Sequence, residues 1–255
     1  MSTEGHYHYK YNFLTNVIFR IDFPDMGFKD NKPPKEIIEE LRVKFPKKGK
    51  IKGKSVELKV KDFKHSTVME DLVSWEFKDE QNQKRVIVNS DSLVLETLKY
   101  TGFEDFSKDI KFVVGKFGKN YPLDNINRLG LRFVNQIDIK PPRKPFDWES
   151  LIKTDLTSVL DSFVAKSNNI SRSIQFLEFN EEDYILRFQF GMFNSEYPNV
   201  VSQKEFLLDY DCVTIGELSF NDIIDTAVDF HKIIYQMFES SIDDGLREMM
   251  SDDQD

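Results

Sequence analysis

The sequence predicts an α+β fold with helices packed on one face of an antiparallel sheet, a saddle or helix-grip layout. Three observations lead there. Candidate strands follow one another in hairpin order, which antiparallel pairing allows. They alternate apolar and polar residues, as strands with one covered and one wet face do. The order strand, helix, strands, helix also occurs twice. Phe23 and Ile139, which close equivalent strands, are 116 residues apart, and Phe103 and Phe220, which open equivalent helices, are 117 apart. The spacing predicts an internal repeat of residues 1–124 and 125–250, followed by an acidic tail at 251–255. No Gly/Ser/Pro linker separates the repeats, so one continuous body is expected.

The elements follow in order. Residues 17–23 alternate Val17, Phe19, Ile21 and Phe23 against Ile18, Arg20 and Asp22, a strand. After Pro33-Pro34, residues 35–45 carry Ile37, Ile38, Leu41 and Phe45 at helical spacing. In 55–63, Val56, Leu58 and Val60 face inward while Glu57, Lys59 and Lys61 face out; 72–80 groups Val73, Trp75 and Phe77. Strands at 84–90 and 92–100 meet at a turn near 89–91, and 103–117 is an amphipathic helix through Phe106, Ile110, Val113, Val114 and Phe117. The second repeat opens with the strand 125–139. Pro141-Pro142 and a helix at 146–164 follow, its stripe formed by Trp148, Leu151, Ile152, Leu156, Val159, Leu160 and Phe163. Strands at 173–179, 183–193 and 205–212 lead to a last helix at 220–238, with Asn221 as its N-cap.

The strand NINRLGLRFVNQIDI holds residues that invite a functional reading. Its parity turns Leu129, Leu131 and Phe133 to the helices, and Arg128, Gly130 and Arg132 to the other face. Asn135 falls on the covered face, where an amide needs a hydrogen-bond partner; a helix start or a loop is expected to supply it. Gly130 is expected to permit a bulge or the close approach of a neighbouring backbone.

SLVLETLKYTGFEDF, INRLGLRFVNQIDI, FLLDYD and the end FESSIDDGLREMM together resemble a sporadically distributed family of prokaryotic proteins of about this length. Its signature strand reads Arg-aliphatic-Gly-aliphatic-Arg-Tyr-aliphatic-Asn. Arg128, Gly130, Arg132 and Asn135 match it, and Phe133 stands where tyrosine is usual. The resemblance covers most of the chain, but the Pro-Pro that often precedes the first strand is absent. It implies a bacterial or archaeal origin and patchy inheritance, the pattern of mobile or defence-linked genes, and it implies no chemistry.

Composition bounds the function classes. Of 255 residues, 40% are apolar and 23 are Phe, enough for a sizeable core. The single cysteine, Cys212, excludes an internal disulfide. Without a basic start and a long apolar run, neither a signal peptide nor a membrane span is expected, and the expected location is the cytoplasm. The net charge of −9 is uneven: residues 1–126 carry 23 Lys+Arg against 20 Asp+Glu, and residues 127–255 carry 12 against 24. An acidic chain is a poor nonspecific ligand for nucleic acid, although 44–64 is rich in lysine and reads as a solvated loop leading into the outer face of a hairpin.

No cofactor is expected. The histidines are His6, His8, His65 and His231, and no CxxC or HExxH spacing is present. VVGKFGKNY lacks the spacing of a phosphate loop, and Cys212 has no evident base beside it. Asp209 and Asp211 share a strand face, with Arg187 and Gln189 on a neighbour. Such a pair could hold Mg²⁺ for a nuclease or phosphoesterase, or form solvated cross-strand ion pairs, the favoured reading. The leading expectation is a non-catalytic binding or adaptor protein. Its open face, with Arg20, Glu57, Lys59, Glu76, Arg128, Arg132, Arg187 and Asp209, would receive a protein partner or a second copy. A saddle-like nucleic-acid binder is the alternative.

Overall fold

The computed structural model describes residues 9–28, 32–61, 64–141, 144–164 and 169–251, without the side chains of 53–72 and 161–164. His6, His8, Pro142, residues 252–255 of the tail and the side chains of Val56, Glu57, Leu58, Lys59, Val60, Lys61, His65 and Phe163 lie outside the described residues. Along the chain run β1 (Leu14–Asp22), α1 (Lys35–Leu41), β2 (Lys47–Lys61), β3 (Lys64–Lys78), β4 (Lys84–Val88), β5 (Ser92–Thr97) and α2 (Phe103–Asn120). There follow β6 (Asn125–Ile126), β7 (Arg128–Ile139), α3 (Thr154–Val164), β8 (Ser173–Asn180), β9 (Tyr184–Met192), β10 (Lys204–Thr214), β11 (Leu218–Ser219), α4 (Ile223–Ser241) and α5 (Asp244–Ser251).

The fold is α+β: an open nine-stranded antiparallel sheet with five helices packed against it. The strand order is β2-β3-β4-β5-β1-β7-β10-β9-β8. From the middle outward it reads β1-β5-β4-β3-β2 one way and β7-β10-β9-β8 the other, the order that two strand–helix–strands–helix segments would lay down. Duplication itself stays an expectation of the residue spacing. The compact units have other bounds: Ile18–Gly130 with Thr214–Ala227, and Met1–Val17 with Leu131–Val213 and Val228–Asp255.

In the unit holding β2–β5, Phe77, Val86 and Leu95 stand opposite one another in register and are buried. α2 lays Phe106, Ile110, Val113 and Phe117 on the core, with Glu104 and Asp105 at its positive N-terminal end. The buried Asp109 of α2 accepts hydrogen bonds from Lys44 (3.1 Å) and Lys84 (2.5 Å). The two glycines of VVGKFGKNY lie inside α2, and the Phe220 ring rests where a Cβ on Gly118 would stand. α1 stops at Leu41, short of the expected Phe45. Phe45 precedes Pro46, whose ring disfavours helical geometry at the residue before it, and Phe45 is buried after the turn.

In the unit holding β8–β10, Phe188 stacks on Tyr210 (4.7 Å between centroids) and on Phe190 (4.7 Å). The Tyr210 hydroxyl donates to Ser241 Oγ (2.8 Å), which donates to the Met237 carbonyl (2.7 Å), tying β10 to the end of α4. The helix expected at 146–164 begins only at Thr154. Trp148 and Ile152 are buried, but they sit in turns whose Lys144 and Ser150 have positive φ, and Ile152 bridges to Ile242. The expected Asn221 cap is replaced by Ser219, whose Oγ accepts from the Asn221 N–H at the head of a short 3₁₀ turn (Phe220–Asp222) before α4.

Candidate functional site

Strand alternation sets the surroundings of the expected open-face residues within each unit. In the β2–β5 unit, Asp22 at the end of β1 takes Arg20 Nε on Oδ1 (2.7 Å) and Arg128 Nη1 on Oδ2 (3.1 Å). Both arginines share this one carboxylate, which residue counting along the strands did not reveal. Glu76 pairs with Lys78 (2.9 Å), and Arg85 bonds the buried Glu96 of β5.

In the β8–β10 unit, Arg132 of β7 binds Asp209 of β10 with two parallel hydrogen bonds, Nε to Oδ1 (2.8 Å) and Nη2 to Oδ2 (2.5 Å). Asp209 is only 5% exposed, while the Arg132 side chain is 43% exposed. The pair therefore departs from the expected solvated bridge at its acidic end. Planar guanidinium and carboxylate match here with little loss of side-chain freedom, and the Asp209 charge holds Arg132 above its ordinary pKa. One strand over, Arg187 of β9 reaches Glu178 of β8 (2.9 Å) and Asp211 (3.6 Å) at the surface. β8 and β9 are in register with Glu178 opposite Arg187 and Phe176 opposite Gln189, so Phe176 shares this face. Phe176 is 59% exposed.

Sequence reading passed over Phe176. The signal was present in SIQFLEF, which has apolar residues at both parities: Ile174 and Phe176 on one side, Leu177 and Phe179 on the other. β8 is the last strand of the sheet, and Phe176, Leu177 and Phe179 are all exposed.

Asn135 is buried as its parity requires, but its partner is neither a helix start nor a loop: Nδ2 donates to the Leu208 carbonyl of β10 (3.2 Å). Gly130 is buried within β7. At Gly191 of β9, φ is +128° and a Cβ would collide with the Ser173 carbonyl oxygen of β8.

As a metal site, the Asp209–Asp211 pair is compromised because both Asp209 oxygens accept from Arg132. Among the described residues, no group of three or more His, Cys, Asp or Glu could hold a metal ion. Cys212 is buried, and burial, aided by Asp211, pushes its thiol pKa up to about 12. A thiol so placed carries almost no thiolate at neutral pH and is a poor nucleophile. No described helix is long and apolar enough to cross a membrane. No protein-family model matches the chain, and no curated protein matches it.

Proposed function

We propose that the protein is a non-catalytic binding or adaptor protein of the prokaryotic cytoplasm, and that a protein partner or a second copy docks on the β8–β9–β10 face. One observation carries this reading. The exposed Phe176 ring shares the sheet face of Glu178 and Arg187, and Arg187 is held by Glu178 and Asp211. An aromatic anchor flanked by fixed charges of both signs is the chemistry of a protein interface: the ring supplies apolar area and the charges set orientation. A polyanion would meet Glu178 and Asp211 there. The prokaryotic setting, and a link to mobile or defence genes, rest on the resemblance of the 125–139 strand.

The test is the Phe176→Asp, Arg187→Glu double variant. It alters the exposed Phe176 and the half-exposed Arg187, whose surface ion pairs contribute little to stability. Wild type is expected to dimerise by light scattering, or to retain a discrete protein cross-linked at β8. The variant is expected to lose that species with an unchanged melting curve. A wild-type protein that is strictly monomeric and captures nothing removes the proposal, as does a variant that binds equally well.

A further inference from the structure

The lysines of β2 pose a separate question. Lys48, Lys50 and Lys52 occupy alternate positions, so they share one face at intervals of about 7 Å. In register, Lys48 stands opposite Phe77 and Lys50 opposite Trp75. Their ammonium nitrogens lie 4.3 and 4.5 Å from the Trp75 ring centroid. Trp75 is 8% exposed, and its buried indole N–H has no hydrogen-bond partner among the described residues. Other lysines of this unit are neutralised: Lys44 and Lys84 share Asp109, and Lys116 and Lys119 share Glu40. Among the described residues, no carboxylate is ion-paired with Lys48 or Lys50. Burial lowers the Lys48 pKa, and the neighbouring positive charges of Lys32, Lys50 and Arg42 lower it further. Positive charge is thus concentrated at the outermost strand of the sheet with an aromatic ring beneath it.

We infer that this row of lysines over Trp75 is a binding site for single-stranded nucleic acid. Successive phosphates take the ammonium groups, and a base takes the face of the indole that the lysines now cover. Three features favour this ligand over an acidic peptide. The charges repeat along an extended line, as phosphodiesters do. β2 is the outermost strand of the sheet, and among the described residues no further strand pairs with its outer edge. The ring offers a stacking surface, which every base can use and a carboxylate side chain cannot. The site uses none of the residues of the Phe176–Arg187 face, so either can fail without the other.

The experiment is fluorescence anisotropy with labelled short oligothymidylate and oligouridylate, with polyglutamate as competitor, across a salt series. Three lysine–phosphate contacts predict a slope of log Kobs against log salt of about −2, at about −0.7 per contact. Lys48→Gln with Lys50→Gln is expected to weaken binding about tenfold or more and to reduce the slope by about 1.4. In a Trp148→Phe background, oligonucleotide is expected to quench Trp75 fluorescence. Circular dichroism of the double variant checks that its fold is intact. Absence of binding at low salt overturns the inference. So does unchanged affinity in a folded Lys48→Gln, Lys50→Gln protein, or competition by polyglutamate as effective as that by oligonucleotide.

Discussion

Removing the Arg132 guanidinium would leave the Asp209 carboxylate enclosed and without its charged partner. Arg132→Met is therefore expected to lower stability by about 2 kcal/mol in urea unfolding, and Asp209→Leu in the same background to recover most of it, because the cost lies in the stranded charge. Reversing Arg132 is for the same reason a poor probe of binding, and Arg187 is the cleaner one. Tyr210→Phe keeps the stack on Phe188 and loses the bond to Ser241, for an expected cost of about 1 kcal/mol. Cys212 should resist alkylation in the native protein at about pH 8 and react once unfolded; rapid native labelling would show that β10 opens. Parity alone places Asn135 inside. It does not reveal the Leu208 carbonyl as its partner, because residue spacing carries no information about which strand comes to lie alongside.

At the level of elements, α1 and α2 are joined by Glu40, which binds Lys119 (3.0 Å) and Lys116 (3.4 Å). The Lys119 bond, aided by Lys116, holds the Glu40 pKa below its ordinary 4.5. A depressed carboxylate contributes stability that is present above its unfolded pKa and lost as pH falls through its folded one. Lys116→Ala with Lys119→Ala is thus expected to lower stability at neutral pH and to flatten its acid-side decline, measured by denaturant melts across that range. The helices with clear apolar periodicity, such as α2, were legible in the sequence. β2 was not: its first half, rich in lysine and glycine, looks like a loop, and becomes strand because β3 pairs with it from Lys47↔Lys78 to Lys61↔Lys64. The apolar residues before α3 misled in the opposite direction. Trp148 and Ile152 are spaced as if helical, yet turns deliver them to the core, since burial constrains position more than backbone conformation.

For the molecule as a whole, each compact unit draws on distant parts of the chain. β6 at residues 125–126 pairs with β11 at 218–219, and Phe220 packs on Gly118. Tyr11 donates its backbone N–H to the Met250 carbonyl, and Tyr9 donates to Glu239. Residues 1–124 and 125–255 expressed apart are therefore expected to show no cooperative thermal transition, and to regain one when co-expressed. A sharp melt in either fragment alone would contradict this. The fold class was legible because hairpin order and alternation act locally. The interleaving was not, because it depends on the ends of the chain crossing between halves that the sequence presents in series.

The two outermost strands differ in kind. β2 ends the sheet with lysines, which repel a like edge, and β8 ends it with Phe176, Leu177 and Phe179. Strand addition therefore has a valence of one. If the occupant of β8 is a second copy, only lysine edges remain outward, growth terminates at a pair, and concentrating the protein yields a dimer plateau instead of filaments.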